Sequence, residues 1–585
     1  MRRANFKTSP RMLLISVGRL AGRRALTQLT PCCSRFNHNS SASSENDDQN
    51  KAPAEDSESL DDDRQHVFRA YNVITQAKSV VKLEYSQKSI KRFRRDYTLP
   101  PEAMVGLRNA VLESDLPAKV LQHDADQLLQ QLDQRRFPAS PEAVKETRDE
   151  LKAKLQEDEP HNDIELGDGP IADKVKQAQE YSLRRKVDRI MKKTHFNWKP
   201  LNFHNQQTAL AYALCRLAPN YAEVARVLEE FNRIPDYVPK SVLDYGSGVG
   251  GAFWAIFQKW GNQVESYTSV DVSDIMTQLS MDIMRKYSPV LDTESASPLL
   301  HKSSSFRRHL VPSPSATYDM VIVHRTLCEL GSRQSRLELI DTLWKRTNKY
   351  LVLIDSGLVD SFRTILECRD FLLTEGVHLA DNIIPYLQQN NAWTPLIESP
   401  LKDKEMSRLE KYALISEQLP HLKLPTVVEP ATVFAPCPHD LGCPMVSTMD
   451  SCTFDVHYRP VRADCKRYKQ ERDDGRMATR MSFVIMEKGL RQPGPETIRL
   501  IENRTRNRHN VCDVCTAYKG LQRFTVAKSD GALFKMIKAR NQGEPLPLTM
   551  NVLESNELDF DINEEPNSEG GEFESSDKNP KNSKK

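Results

Sequence analysis

The sequence predicts an α/β chain: a doubly wound domain with a parallel sheet, preceded by a helical N-terminal region and followed by a cysteine-rich C-terminal domain. Three observations carry this expectation. A short apolar strand at residues 242–245 runs into Gly246, Gly248 and Gly250 and then into the helical pattern of residues 252–260. Further strand candidates at 266–272, 318–323 and 349–354 alternate with helical segments, as in a parallel sheet covered by helices. Six of the 11 cysteines crowd between residues 437 and 515 of the 585-residue chain.

In chain order, residues 1–40 carry Arg2, Arg3, Lys7, Arg11, Arg19, Arg23, Arg24 and Arg35, with no acid before Glu45, among Met12, Leu13, Leu14, Ile15, Leu20, Leu26 and Leu29. This is the pattern of a mitochondrial presequence and predicts a matrix protein. The alternative is a basic tail that binds nucleic acid. Residues 41–64 read as a disordered polar linker and 65–200 as a charged, helical N-terminal region. Within that region Lys174, Lys176, Arg184, Arg185, Lys186, Arg189, Lys192, Lys193 and Lys199 are closed by Phe196 and Trp198. Cations and aromatics so interleaved suit an RNA contact, and a solvated helix face accounts for them equally well. Residues 549–585 read as a disordered acidic tail. No run approaches 18 apolar residues, so no membrane span is expected. With 82 Lys and Arg against 80 Asp and Glu the net charge is only +2, so any nucleic-acid surface is a local patch. The chain is expected to be monomeric when free.

Residues 201–425 form the α/β domain, and its chemistry centres on the glycine loop. Glycine permits a tight turn and close approach to a ligand. The spacing G-x-G-x-G, with Asp244 two residues before Gly246, resembles motif I of class I S-adenosylmethionine-dependent methyltransferases. That resemblance implies a class I, Rossmann-like methyltransferase domain with S-adenosylmethionine held by Asp244, Gly246, Gly248, Gly250 and Asp271. Asp271 ends the next strand, where a carboxylate accepts ribose hydroxyls or simply forms a turn. Asp244 contacts the methionine amino group through water or holds the loop. Residues 324–330 lack the Asn/Asp-Pro-Pro-aromatic tetrad of amine methylation, and Cys328 lacks a preceding proline, so no catalytic residue is assigned. His324 and Glu329 are an acid/base pair or hydrogen-bonded structural residues.

Residues 426–548 form the cysteine-rich domain. Cys437-Pro438-His439-Asp440-Leu441-Gly442-Cys443-Pro444 is followed by Cys452 and by Cys512-Asp513-Val514-Cys515. Thiolates are soft ligands. A C-x5-C pair followed by C-x8-C is unlike a zinc ribbon, whereas loosely spaced, proline-flanked cysteines suit an iron–sulfur centre. Cys437, Cys443 and Cys452 are close enough to close on one ion or cluster, with a fourth ligand from the Cys512/Cys515 pair. Unrelated reduced cysteines are the alternative.

The glycine loop, Pro219-Asn220-Tyr221 ahead of it, the Cys-Pro-His-x3-Cys-Pro motif and Cys452-Thr453-Phe454, in this order behind a presequence, resemble the mitochondrial small-ribosomal-subunit methyltransferase-like family over roughly residues 200–545. The resemblance implies a [4Fe–4S] cluster on Cys437, Cys443, Cys452 and Cys515, with Cys512 spare. It also implies binding to the small mitoribosomal subunit, rRNA and ribosomal proteins, during assembly, and a role in mitochondrial translation. The cluster would staple segments that present Arg459, Arg462, Lys466, Arg467, Arg504, Arg506 and Arg508 to phosphates. The chain departs from the family pattern at Cys465, at Gln542-Gly543-Glu544 and at Asp355-Ser356-Gly357. Three functions are carried forward: an assembly factor, an active rRNA methyltransferase, and a redox-sensing cluster protein.

Overall fold

The computed structural model describes residues 67–85, 91–135, 141–157, 170–195, 198–285, 298–448, 450–492, 498–517 and 519–553. The expected presequence and linker, and the tail from 554 onward, lie outside the described residues.

The parallel sheet forms where the sequence places its apolar runs. Ser304–Arg307, Ser266–Val270, Ser241–Tyr245, Tyr318–His324 and Thr347–Ser356 are five parallel neighbours in that spatial order. Alternation along each strand sends side chains to two cores. Val242, Met320, Ile322, Val352 and Ile354 pack on one face, and Leu243, Val321, Val323, Leu351 and Leu353 on the other. The strand order reverses about Ser241–Tyr245, and there the glycine loop emerges at the carboxyl ends of the strands. Helices flank the sheet. Gln206–Leu228 is capped by Asn205, whose side chain accepts from Thr208 N, and is buried along nearly its whole length.

The sheet does not stop at the expected domain boundary. Met477–Lys488 adds antiparallel to Thr347–Ser356, then pairs with Ala431–Ala435 and Phe454–Tyr458. Three strands of the stretch read as a separate cysteine-rich domain thus complete the α/β sheet. Their apolar alternation was visible, but an antiparallel partner more than 100 residues away leaves no local mark.

A second sheet runs in the order Pro545–Leu546, Ile498–Thr505, His509–Thr516, Gly520–Ala527, Val67–Asn72, Lys78–Tyr85 and Leu548–Val552, all antiparallel, while His378–Leu379 and Thr426–Val428 pair on their own. The first and last members are adjacent in sequence, so residues 545–552 bridge both edges and close the sheet on itself. The closing contact with Ile498–Thr505 is short, made at Ile498–Leu546 and Arg499–Pro545. Its core holds Val81, Leu83, Leu500, Val514, Phe524, Val526 and Met550, with Leu533 and Ile537 of the Gly531–Ala539 helix. Two expectations are corrected here. The region read as helical opens with two strands, because Val81, Leu83 and Tyr85 alternate among charges and find their partners at the far end of the chain. The range read as acidic tail begins inside a strand, since Leu548 and Met550 face that core.

Candidate functional site

The turn after Ser241–Tyr245 requires its glycines. Gly246, Gly248 and Gly250 have φ of 74°, 52° and 80°, in the left-handed region that penalises a Cβ. A Cβ on Gly246 would also lie 2.1 Å from Thr326 Oγ1, and one on Gly250 2.3 Å from the terminal carbon of Met284. Asp271 binds the loop tip: Oδ2 accepts from Gly248 N at 2.8 Å and Oδ1 from Ser273 N at 2.9 Å. Each oxygen retains a second lone pair. Asp244 is buried, and its Oδ2 accepts from the Tyr267 hydroxyl at 2.7 Å. Asp244, Gly246, Gly248 and Asp271 line one cavity of about 540 Å³ with apolar Ile275, Met276 and Leu330. Gly250 does not line it; it is the N-cap of the Gly251–Trp260 helix behind the loop. Backbone amides, two carboxylates and an apolar floor suit a nucleoside, so the residues present fit S-adenosylmethionine.

Burial pushes the Asp244 carboxyl up to about 7. An acid whose pKa is raised on folding binds more protons when native, so its contribution to stability is greatest below the ordinary carboxylate pKa. It declines as pH rises to about 7 and is flat above. Asp244→Asn is therefore expected to gain thermal stability relative to the wild-type protein as pH rises from about 5 to about 7.5. Parallel melting curves would contradict this assignment.

His324 and Glu329 do not form an acid/base pair. His324 Nε2 meets Glu223 Oε2 at 2.8 Å, while Glu329 pairs with Arg135 at 2.5 Å and accepts from Leu201 N at 2.9 Å. Between them Arg325 is clamped by Glu223, with Nε to Oε2 at 2.8 Å and Nη2 to Oε1 at 2.6 Å. Burial pushes the Cys328 thiol well above its usual range, which disfavours the thiolate a nucleophile needs.

The second site lies where the two sheets meet. Cys437, Cys443 and Cys452 sit on the connection between Ala431–Ala435 and Phe454–Tyr458 of the first sheet, and Cys515 on His509–Thr516 of the second. All four line one cavity with Phe362, Ile365, Leu366, Met445, Arg369 and Arg499. Strand alternation decides between the paired cysteines: Cys512 and Val514 face the apolar core of the second sheet, so Cys515 faces the other way. Cys465 is exposed and lies outside the cavity. Asp440 shapes the loop, accepting from Val433 N at 2.7 Å, Thr432 Oγ1 at 2.8 Å and Arg491. Arg369 Nη2 donates to the carbonyls of Leu441 at 2.6 Å and His439 at 3.3 Å. Arg499 donates to Pro436 O and to Glu230.

Burial pushes the thiols of Cys437, Cys452 and Cys515 up, and that of Cys443 up to about 11; the thiols of the cavity also raise one another. Four such groups ionise together only around a soft cation. Among the described residues no set of three or more His, Cys, Asp or Glu side chains is disposed as it stands to hold a metal ion. The thiols surround a shared space rather than a point, and as a donor set they fit a cluster held by four cysteines.

The sequence model of the family described as mitochondrial small ribosomal subunit Rsm22 matches residues 206–385 and 412–547, more than half of the chain. The chain belongs to the Rsm22 family. Both cavities lie within the matched segments, apart from a few lining residues. Among its relatives, the human protein named ribosome assembly protein METTL17, mitochondrial, is 26% identical over 373 residues, 63% of this chain and 69% of that one. A Schizosaccharomyces pombe protein named Rsm22-cox11 tandem protein 2, mitochondrial, is 22% identical over 58% of this chain and spans 43% of its own length. Solved structures of methyltransferases are also similar in part. The magnesium protoporphyrin IX methyltransferase of Synechocystis PCC 6803 is 11% identical with a TM-score of 0.21, covering 54% of this chain and 98% of that one.

In this Rsm22-family chain several arginines expected to face phosphate are engaged internally. Arg462 pairs with Asp126 and Asp464, Arg467 with Glu471, and Arg504 with Asp513. Sequence reading missed Glu223, Arg369 and Arg499, each of which bonds a partner about 70 residues or more away. No helix among the described residues is long and apolar enough to cross a membrane.

Proposed function

We propose that this protein is a mitochondrial small-ribosomal-subunit assembly factor that binds small-subunit rRNA and supports mitochondrial translation in the matrix. Cys437, Cys443, Cys452 and Cys515 hold a [4Fe–4S] cluster, and the loop from Gly246 to Gly250 with Asp244 and Asp271 holds S-adenosylmethionine. The observation that carries the reading is the convergence of four cysteines from two sheets on one cavity, in a chain of the Rsm22 family. The human relative's name, a mitochondrial ribosome assembly protein, supports the same role. The cluster's contribution is structural: it ties the closed sheet to the methyltransferase-like sheet, since ligand binding energy is folding energy in such a site.

Assembly without methyl transfer is favoured over the enzyme reading by Arg325. At the end of the fourth strand, where an acceptor amine is activated in methyltransferases of this class, a guanidinium is held by a buried carboxylate and cannot act as a base. In cells lacking the protein, a folded Gly248→Arg, Asp271→Ala variant that no longer binds S-adenosylmethionine is expected to restore small-subunit assembly and translation. Failure of a stable, iron-loaded, ribosome-bound variant would instead favour the methyltransferase.

A further inference from the structure

The basic run of residues 174–199 lies mostly on a helical hairpin, in which Pro141–Glu157 packs on Pro170–Ile190 and the latter continues into the π-helical turn Met191–His195. Leu183, Val187 and Met191 meet Val144, Leu151 and Leu155, so the apolar side chains of the two helices are spent on one another. We propose that the outer face of this hairpin is where the protein meets RNA, and that its ligand is the phosphate backbone of a double-stranded segment, held without regard to sequence. The inference rests on the RNA-binding reading above and names the surface and the form of RNA.

Charge is divided unevenly between the two helices. Residues 170–195 carry eight Lys and Arg against three acids, whereas residues 141–157 carry four against five. On a solvated basic helix, an acid four residues before a cation can neutralise it. Glu180 and Asp188 stand four residues before Arg184 and Lys192, yet both are drawn across the hairpin, to Lys152 at 3.6 Å and to Arg148 at 3.3 Å. Lys174, Arg184, Arg185, Arg189, Lys192 and Lys193 are exposed and pair with no acid among the described residues. At about 100° per residue, Lys174, Arg185 and Arg189 lie on the side opposite Leu183 and Val187. The row from Lys174 to Lys193 is about 28 Å long, and uncompensated cations so arrayed attract a polyanion whose charges recur along a rod.

The rest of the face selects among polyanions. A helix that lies on a membrane needs bulky apolar side chains beside its cations. Among the described residues of the hairpin the one large apolar side chain exposed is Tyr181, and Arg185 lies over its ring at 5.7 Å. Single-stranded RNA is held by successive stacking aromatics. Trp198, near the end of the basic run, turns inward instead and donates to Cys328 O at 2.8 Å. Duplex RNA presents phosphates and hydroxyls along a shallow groove and needs neither feature.

Fluorescence anisotropy of the full chain with a labelled RNA duplex of arbitrary sequence, over a range of salt concentrations, tests this. The Arg185→Gln, Arg189→Gln variant is expected to lower the slope of log affinity against log salt concentration by about two. Lys145→Gln, Lys154→Gln removes the same charge from the facing helix and is expected to leave the slope as in the wild-type protein. All four side chains are exposed and glutamine is as good a helix former, so both variants keep the fold. Cations elsewhere in the chain are common to the three proteins and cancel. A slope unchanged in the first variant, or lowered equally in the second, overturns the hairpin as the RNA surface and leaves RNA binding standing. A single strand of the same length that competes as well as the duplex overturns the duplex assignment. Binding to phosphatidylcholine vesicles with about one-fifth phosphatidylserine that weakens in the first variant, while duplex binding does not, overturns the proposal in favour of lipid. Wild-type protein that binds no duplex overturns the RNA-binding reading as well.

Discussion

Glu223→Ala is expected to destabilise the protein by about 3–5 kcal/mol, the usual cost of stripping one partner from a buried charge cluster. Glu223 is fully buried on Gln206–Leu228. It accepts from Arg325 twice, from His324 at 2.8 Å and from Thr479 at 2.6 Å, and lies 3.7 Å from Arg216. These partners come from the fourth parallel strand, the added antiparallel strand and the central helix, so one carboxylate joins three elements. Its loss strips the ion-pair partner from two guanidinium groups in the interior. Against a typical stability of about 5–15 kcal/mol this is a large share. Burial opposes its ionisation, but Arg325 and the other partners hold the carboxyl well below its usual range. The stabilisation is therefore present above the ordinary carboxylate pKa and is lost only as pH falls through the depressed value. Urea unfolding at neutral pH measures the loss, and a shift below about 1 kcal/mol would contradict the assignment.

Cys515→Ser and Cys512→Ser are expected to behave oppositely although they lie only three positions apart. Serine is a hard oxygen ligand and a poor substitute for thiolate, so Cys515→Ser should lose nearly all of the roughly four irons expected per chain. The closed sheet should then unfold at a lower temperature than the rest. Cys512 packs among Leu500, Val514 and Phe524. Its replacement buries a hydroxyl and costs about 1–3 kcal/mol without removing iron. Iron analysis and melting of anaerobically purified variants give both readouts. Equal iron in the two variants would overturn the choice of Cys515.

Much of this was legible in the sequence where the signal is local. The glycine loop, Asp271 two residues ahead of its capping Ser273, and the apolar runs at 318–323 and 349–354 announce a parallel sheet, because each strand and its loop are continuous in the chain. The cysteines of 437–452 are likewise close in sequence. Legibility failed where partners are distant. Nothing near Val67–Asn72 says that it pairs with Gly520–Ala527, and nothing near Met477–Lys488 says that it joins Thr347–Ser356. Charge misled at the N-terminus, where the charged region hid two strands; Arg462 and Arg504, read as facing phosphate, are also ion-paired with acids. Cys512 and Cys515 part once the segment is a strand, since residues three apart in a strand face opposite ways and only Cys515 lines the cavity.

The central claim is that the cysteine cavity holds the two sheets together in the form that binds the small subunit. Sedimentation of mitochondrial extracts from cells that express wild-type, Cys512→Ser or Cys515→Ser protein, with iron measured on the same proteins, tests it most directly. The account predicts that the wild-type and Cys512→Ser proteins carry iron and sediment with small-subunit particles, while Cys515→Ser loses both together. Cys515→Ser protein that lacks iron yet sediments with small-subunit particles as the wild type does would contradict it.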